Sequence, residues 1–310
     1  LLNENEPHKL KVLYKKYVDN ADENSKVASF NSLFKGIEFN KVPPDVAYMY
    51  ASFDPIMTYE LYQFQYNFID INGKYCKEKG LERVAEVFRN IEMPLIQVVF
   101  EMECTGVKID TDLADKLKEQ YTKHKDAAEV KFNLEIDKLN DKFDKLMIKN
   151  PAAYNKLFKD GIRKVSISSP TQLAILFYDV LEFESPDKKS PRGTGEAILK
   201  SFNHPLVDSI LEYRSMSKLL STYIEAIPQH IAKRDNRLHA NFNQYGAKTG
   251  RFSSSDPNLQ NIPSQKTKLS DGTVIDAGHD IRQMFIAGEG QVIVGGDFSQ
   301  QEPRCLAHMS

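Results

Sequence analysis

Tryptophan is absent from this sequence, and cysteine is scarce. Cys76, Cys104 and Cys305 lie far apart, so they form neither a CxxC pair nor a disulfide framework, which favours a reducing compartment. No apolar run reaches the roughly 18 residues that a membrane span needs, and the first residues lack the pattern of a signal peptide. We therefore expect a cytoplasmic protein without a membrane partner.

The sequence also lacks a strong charge of either sign. Its 41 lysines and arginines nearly balance its 43 aspartates and glutamates, which gives a formal net charge of −2. No global basic surface indicates nucleic acid, although a basic groove can exist on a protein of balanced charge. The chain has 310 residues, 41% hydrophobic and 27% charged, which is ordinary globular composition. That length allows roughly two or three structural units.

Apolar spacing and the positions of proline and glycine predict a largely helical chain up to about residue 231. The segment 110–150 is dense in charged residues with a narrow apolar stripe, which predicts a long helix or a helical pair. Coiled-coil packing and an arm that reaches over a ligand both fit this segment. Pro94 should kink or divide the helix that contains it. The other predicted helices cover residues 10–18, 46–68, 81–104, 171–180 and 206–231.

Strand patterns are fewer and lie mainly near the end of the sequence. Val292, Ile293 and Val294 form a β-branched run that predicts a buried strand in a hairpin. The preceding loop, residues 264–280, contains the turn signal Asp271-Gly272. The predicted strands cover residues 107–109, 237–245, 281–287 and 291–296.

A carboxylate follows the predicted buried strand, in the sequence Gly295-Gly296-Asp297. The two glycines would allow a ligand to approach closely. Mg²⁺ prefers oxygen ligands, commonly one or two carboxylates together with phosphate oxygens and water. Asp297 could therefore hold a metal in a two-metal phosphoryl-transfer site. The alternative is an ordinary aspartate that ends a strand in a turn.

Two longer motifs accompany Asp297. Residues 249–263 have the sequence TGRFSSSDPNLQNIP, and residues 297–304 have the sequence DFSQQEPR. In the same order, family A DNA polymerases carry TGRLSSxDPNLQNIP and then their motif A, DYSQIELR, so this chain resembles that family. Pro303 replaces an apolar residue of motif A and would fit early in a helix.

The resemblance extends over nearly the whole chain. VFRNIEMPL at 87–95 and GVKID at 106–110 are similar to the opening of the family's polymerase region. LEYR at 211–214, with STY at 221–223, is similar to its thumb-to-palm helix. YASFD at 50–54 is similar to the third motif, YxxxD, of its 3′→5′ exonuclease domain.

The resemblance implies roles for three residues of motif A. Asp297 would be a catalytic metal ligand, with the backbone carbonyl of Phe298 beside it. Glu302 would be the sugar-selecting residue, which disfavours a ribose 2′ hydroxyl by clash and desolvation; a surface salt bridge is its alternative. The implied cofactor is Mg²⁺, as two ions in the intact site.

The resemblance also implies DNA contacts, each with a structural alternative. Arg251 would test base pairing at the minor-groove edge of the primer terminus, or contact a phosphate, or form a structural ion pair. Arg214 and Lys218 share a helix face that would contact the duplex backbone or simply face solvent. Asn258, Gln260 and Asn261 have amides for DNA or for neighbouring backbone. Arg304, the basic residue of motif A, could instead pair with the core.

Tyr50 and Asp54 match the exonuclease pair that orients water and holds metal; a helical Tyr–Asp hydrogen bond is the alternative. The carboxylates of the first two exonuclease motifs have no match before Tyr50. The family's fingers and second palm aspartate follow motif A, and we expect this chain to end before them, as an internal piece of a larger protein.

The implied fold class is α+β: a mostly helical exonuclease remnant and thumb, followed by the start of an antiparallel palm sheet. The implied domains are 1–80 (C-terminal part of a 3′→5′ exonuclease-like domain), 81–110 (palm base), 111–234 (helical thumb) and 235–310 (partial palm with motif A).

The implied function is template-directed addition of deoxynucleotides to a primer 3′ end, in a bacterial or phage-infected cell. The expected partners are primer–template DNA and deoxynucleoside triphosphates, bound by a monomer, and this chain alone is expected to bind DNA but not extend it. A non-catalytic DNA-binding remnant, a scaffold for a repair nuclease and a helical interaction protein are the alternatives. The last of these leaves residues 249–263 unexplained.

Overall fold

The computed structural model describes residues 7–19, 27, 29–158, 162–247, 249–264 and 266–310, except the side chain of Asn31. These residues fall into two compact units. The first unit comprises the described residues up to Cys104 together with Phe242–Ser253. The second unit comprises Thr105–Asn241 and Ser254–Ser310. Each unit is therefore built from two separate stretches of chain.

The first unit is helical. Pro43 and Pro44 start its longest helix, since proline at the first helical position gives up an N–H that has no partner there. A π-helical turn, Phe88–Glu92, ends two residues before Pro94, and the helix continues through Pro94 to Thr105. The helix is therefore not divided at Pro94; it changes type just before that residue. The helices are α1 (Leu10–Tyr17), α2 (Phe30–Leu33), α3 (Pro44–Ile69), α4 (Lys74–Glu78), α5 (Glu82–Val87) and α6 (Met93–Thr105).

The core of the first unit is small. Met57 and Leu61 of α3, Cys76 of α4 and Ala85 of α5 are buried. Tyr17 of α1 stacks on an aromatic ring of α3, with the ring centroids 5.4 Å apart. Many large apolar side chains of α3 and α6 are exposed. Burial therefore stabilises this unit less than its apolar content would suggest.

The second unit combines a helical part with a small sheet. Its longest helix begins where the Asp110 side chain accepts the Leu113 backbone N–H at 2.9 Å. Its helices are α7 (Thr111–Asp137), α8 (Asn140–Lys149), α9 (Pro151–Leu157), α10 (Pro170–Ile175), α11 (Glu196–Lys200), α12 (Pro205–Leu219), α13 (Ala226–Gln229), α14 (Ala277–Gln283) and α15 (Gln301–Met309). Two π-helical turns, Leu176–Val180 and Leu220–Ile224, extend α10 and α12. The predicted helical pair at 110–150 is confirmed as α7 and α8.

All the strands are short. They are β1 (Val107–Ile109), β2 (Ile231–Ala232), β3 (Arg237–Leu238), β4 (Asn241–Asn243), β5 (Ser253–Ser255), β6 (Thr267–Lys268), β7 (Val274–Ile275) and β8 (Phe285–Ile286). Four of them form an antiparallel sheet in the order β2-β3-β1-β8, while β4 pairs with β5 and β6 with β7. Lys108 of β1 lies opposite both Arg237 and Ile286, so β1 is an inner strand. The α+β fold class predicted from the sequence is confirmed.

Two hydrophobic cores lie along the packed pair α7 and α12. The first core contains Phe132 and Phe143 and continues through α9 and α10 to the start of α12. The second contains Tyr121, the end of α12 and the sheet. Because α7 and α12 contribute to both cores, they connect the helical part of this unit to its sheet.

The loop 264–280 contains the hairpin of β6 and β7, which packs on α7 and α12. The predicted turn at Asp271-Gly272 is confirmed, since the Asp271 carboxylate accepts the Thr273 N–H at 2.9 Å. At the tip, the Ser270 N–H donates to the buried Glu212 carboxylate. Lys131 donates to the Ser270 hydroxyl at 2.8 Å and pairs with Glu212 at 3.7 Å.

Two sequence predictions near the end of the chain are wrong. Residues 281–283 are the end of helix α14, and the short strand β8 that follows pairs with β1 instead of with residues 291–296. The predicted buried strand Val292–Val294 is not a strand, and Val292 and Val294 are 83% and 87% exposed. A β-branched run favours extended backbone, but it becomes a buried strand only when neighbouring strands pair with it. No described strand pairs with residues 292–294.

Candidate active site and nucleic-acid interface

Residues 258–263, which we call the amide turn, form a tight turn with its polar side chains outward. The Asn258 side-chain oxygen accepts the backbone N–H groups of Gln260 and Asn261, at 3.0 and 3.2 Å. The side chains of all three amide residues are exposed, whereas Leu259 and Ile262 pack against the second core. Asn258 thus uses its side-chain carbonyl to shape the backbone, while the side chains of Gln260 and Asn261 are exposed.

The segment before the amide turn is fixed by a buried hydroxyl. Ser254 of β5 is buried; its Oγ donates to the Pro257 carbonyl at 3.2 Å and accepts the Leu259 N–H at 3.4 Å. The Asp256-Pro257 peptide bond is cis. The Asn241 side-chain amide donates to the Asp256 carboxylate at 3.2 Å. The turn therefore has a defined entry from the β4–β5 pair.

Two residues distant in sequence also donate hydrogen bonds to backbone carbonyls of the amide turn. Tyr223, in the π-helical turn after α12, donates its hydroxyl proton to the Asn261 carbonyl. Arg282 of α14 donates to the Pro263 carbonyl at 3.1 Å and to the Ile262 carbonyl at 3.4 Å. The chain has no local sequence signal for these contacts, and only the STY resemblance at 221–223 pointed to Tyr223 at all.

The motif A residues lie together on one exposed segment, 297–304. Asp297 is exposed, and Phe298 is 78% exposed. Gln300 adopts a left-handed conformation (φ 51°) just before α15. Glu302 and Pro303 occupy the first turn of α15, where a missing N–H costs nothing. The position predicted for Pro303 is confirmed.

Arg304 directly follows Pro303 on α15, and its backbone N–H donates to the Gln300 carbonyl at 3.0 Å. Its side chain is exposed, as is the rest of residues 289–310. The charged residues of motif A therefore lie on the surface of the second unit.

On α12, Arg214 and Lys218 have different surroundings. The Arg214 guanidinium is half-buried and donates to the Thr194 carbonyl and, at 3.4 Å, to the Thr194 hydroxyl. Burial lowers the pKa of Arg214 from its ordinary value. Lys218 is exposed. Arg214 therefore supports the loop that contains Thr194, and Lys218 is the more accessible cation of the two.

In the first unit, Tyr50 and Asp54 lie one turn apart on α3. Lys11 of α1 donates to the Tyr50 hydroxyl and forms an ion pair with Asp54 at 3.3 Å. The same ammonium group lies 3.9 Å from the centre of the Tyr50 ring. The Lys11 ammonium therefore contacts both side chains of the Tyr50–Asp54 pair. Arg251 also belongs to the first unit and is exposed beside Gly250, which has φ +76°.

Asp297 offers the oxygen chemistry that Mg²⁺ prefers. A Cβ added at Gly295 or Gly296 would meet no atom within 4 Å, so the approach to Asp297 is open. Across the described part of the chain, no three histidine, cysteine, aspartate or glutamate side chains come together as a metal-binding group. Among the described residues, Asp297 is thus a single carboxylate donor with open space on its N-terminal side.

No helix within the described ranges is long and apolar enough to cross a membrane.

Comparison with known proteins gives one family. The profile of DNA polymerase family A matches residues 134–310. The thermostable DNA polymerase I of Thermus aquaticus is 36% identical over 237 residues, which are 75% of this chain and 24% of that protein. DNA polymerase I of Pseudomonas aeruginosa is 31% identical over 283 residues, which are 89% of this chain and 26% of that protein. The chain spans about a quarter of the length of these curated relatives.

A solved structure has a similar fold. The POL domain of Pol1 from M. smegmatis, in complex with DNA primer-template and dNTP, superimposes with a TM-score of 0.57 at 22% sequence identity. The superposition covers 92% of this chain and 39% of that one. At this identity the similarity concerns the fold.

Proposed function

The chain belongs to DNA polymerase family A, and we propose that it forms part of a template-directed DNA polymerase that adds deoxynucleotides to a primer 3′ end. The observation that carries this proposal is the amide turn. Its residues match the family's longest motif, its apolar side chains face the core, and its amides face solvent with the backbone already hydrogen-bonded. Amide side chains that donate and accept are suited to base edges and sugar–phosphate groups.

In this proposal Asp297 and the Phe298 carbonyl are oxygen ligands for Mg²⁺. The ion, when bound, neutralises charge on the triphosphate and on the attacking primer oxygen. The exposure of Asp297 and the open space at the two preceding glycines leave room for a nucleotide. Glu302, in the first turn of α15, would exclude the 2′ hydroxyl of a ribonucleotide.

Cationic residues would supply the remaining DNA contacts. Arg251 would contact the minor-groove edge of the primer terminus, and exposed Lys218 would contact a phosphate. Arg214 would act through the Thr194 loop, which its guanidinium already contacts. Arg304 would pair with an acidic group or a phosphate next to motif A.

The domain roles follow the same proposal. Residues 111–234 would be the thumb, which grips the duplex, and residues 81–110 and 235–310 would belong to the palm. Residues 1–80 would be exonuclease-like. The ion pair of Lys11 with Asp54 favours a structural role for Tyr50 and Asp54 in this chain. The protein is proposed to act as a cytoplasmic monomer in a bacterium or a phage-infected cell.

The test measures binding and chemistry separately. Fluorescence anisotropy with a labelled primer–template should show binding by the 310-residue chain that weakens steeply between about 50 and 200 mM salt. Single-nucleotide extension with Mg²⁺ is then compared for this chain and for a chimera. In the chimera, Ser310 is joined to the residues that follow the matched segment of the Thermus aquaticus relative.

We expect the chimera to extend the primer and the 310-residue chain not to. In the chimera, Asp297→Ala should abolish incorporation without changing DNA affinity, and Glu289→Ala, an exposed acid in the same stretch, should leave incorporation unchanged. The absence of primer–template binding together with an inactive chimera would refute the proposal. Extension by the 310-residue chain itself would show that it needs no further carboxylate.

A further inference from the structure

We propose that Tyr223 and Arg282 are positioning residues, which set the direction of the amide turn toward the DNA. This inference rests on the proposed function, because it concerns how the amides of that turn meet a primer–template. The two side chains come from different elements of the second unit, and both act on backbone carbonyls of the turn.

Tyr223 contacts the turn from inside the protein. It is 4% exposed, within the second core. Its hydroxyl donates to the Asn261 carbonyl, so one buried polar atom and one backbone acceptor satisfy each other. Because the ring is fixed by packing, the position of its hydroxyl fixes the Asn261 carbonyl as well.

Arg282 contacts the next two carbonyls. Its guanidinium has several N–H donors in a fixed plane, so it can contact neighbouring acceptors at once. Here it donates to the carbonyls of Ile262 and Pro263. With the Tyr223 contact, the carbonyls of three successive residues are all bound by side chains of the second unit.

Gly278 allows α14 to bring Arg282 into place. A Cβ built on Gly278 would lie 2.0 Å from the Pro263 carbonyl oxygen, a distance that no side chain could tolerate without displacement. Gly278 and Arg282 are one turn apart on α14, and Arg282 Nη1 would lie 2.6 Å from the same added Cβ. The backbone of α14 at Gly278 and the Arg282 guanidinium therefore both lie against the Pro263 carbonyl at the end of the amide turn.

These contacts determine which groups of the turn remain for a ligand. Carbonyl oxygens left without a donor would repel phosphate, and here the three carbonyls accept hydrogen bonds from buried Tyr223 and from Arg282, which is exposed. The outward groups are the amides of Gln260 and Asn261, which can donate. A backbone held in its binding conformation also lowers the ordering cost of association. Loss of either holding contact should therefore weaken DNA binding although neither residue needs to touch DNA.

The test uses Tyr223→Phe, which removes one hydroxyl, and Arg282→Lys, which keeps the charge but loses the planar donor set. Tyr213→Phe on α12 and Arg234→Lys in the β2–β3 connection are the matched controls. Hydrogen–deuterium exchange of residues 257–264 is measured without DNA. Primer–template affinity is measured for the same full chain over a range of salt concentrations.

We expect faster exchange at the amide turn and an affinity lower by about 2- to 10-fold for each variant, the effect of one hydrogen bond. The salt dependence should be unchanged because no phosphate contact is lost. The Tyr223→Phe effect should shrink when Gln260→Ala is also present, since both act through one turn. The controls should match the parent chain.

Three results would contradict the inference. Unchanged exchange in both variants would show that the contacts do not hold the turn. Faster exchange with unchanged affinity would separate the turn from DNA binding. A weaker salt dependence in Arg282→Lys would make Arg282 a phosphate ligand instead. If the parent chain bound no primer–template, the link between the turn and DNA would fail, while the exchange result would still decide whether the turn is held and primer extension by the chimera would decide the proposed function.

Discussion

At the residue scale, the contacts that hold the amide turn show where sequence information stops. Asn258 lies within three residues of both its partners, so its turn-forming role is accessible from local sequence. Tyr223 and Arg282 contact the same turn from 38 and from about 20 positions away. Nothing in the sequence around either residue specifies that partner, because packing of the second core alone brings them together.

A single tyrosine of the first unit gives a pH prediction. The hydrogen bond to Glu60, followed by burial, raises the pKa of Tyr14 from 10.0 to about 12. The folded state thus holds this proton more tightly than the unfolded chain does. Its contribution to stability should be complete below about pH 10 and should be lost as the pH rises to about 12.

The difference in tyrosinate absorbance between the parent chain and Tyr14→Phe, titrated with base, should have its midpoint near pH 12. Tyr245→Phe, at an exposed tyrosine of the same unit, is the control. A midpoint near 10 for Tyr14 would mean that the contact with Glu60 does not form in solution.

At the scale of elements, helices were predictable where their starting signals are local. Pro43-Pro44 starts α3, Ser169 and Pro170 start α10, and Asp110 caps α7. The start of α14 was missed, although Asp276 caps it and the buried residues Ala277, Ile281 and Met284 have helical spacing. The β-branched run at 292–294 predicted a strand that does not form, because strand formation depends on partners elsewhere in the chain.

The attachment of the β6–β7 hairpin to α12 should depend on Glu212. Glu212→Ala would leave the Ser270 N–H and the Lys131 ammonium without their buried acceptor. We expect a loss of about 1–3 kcal/mol in the free energy of unfolding, measured with urea. Glu135→Ala, which removes the ion pair with Lys138, should cost at most about 1 kcal/mol. Equal costs for the two variants would show that the hairpin does not depend on Glu212.

At the scale of the whole molecule, the two units differ in how much they bury. Seven of the 15 residues of α12 are buried, whereas α3 buries Met57 and Leu61 among 26. Local opening requires less free energy where fewer apolar contacts are lost. We expect amides of α7 and α12 to exchange most slowly and amides of α3 to exchange through lower-energy openings, as measured by native-state hydrogen exchange in dilute urea. Slower exchange in α3 than in α12 would contradict this order.

The inner position of β1 has a consequence for biosynthesis. Lys108 needs Arg237 on one side and Ile286 on the other. At a translation rate of about 5–20 residues per second, the second partner would leave the ribosome roughly 10–35 s after β1 does. Until then β1 has an unpaired edge, while α7 and α12 can already pack. The middle strand of the sheet is therefore made early and completed late, an interval in which a nascent chain would benefit from a chaperone.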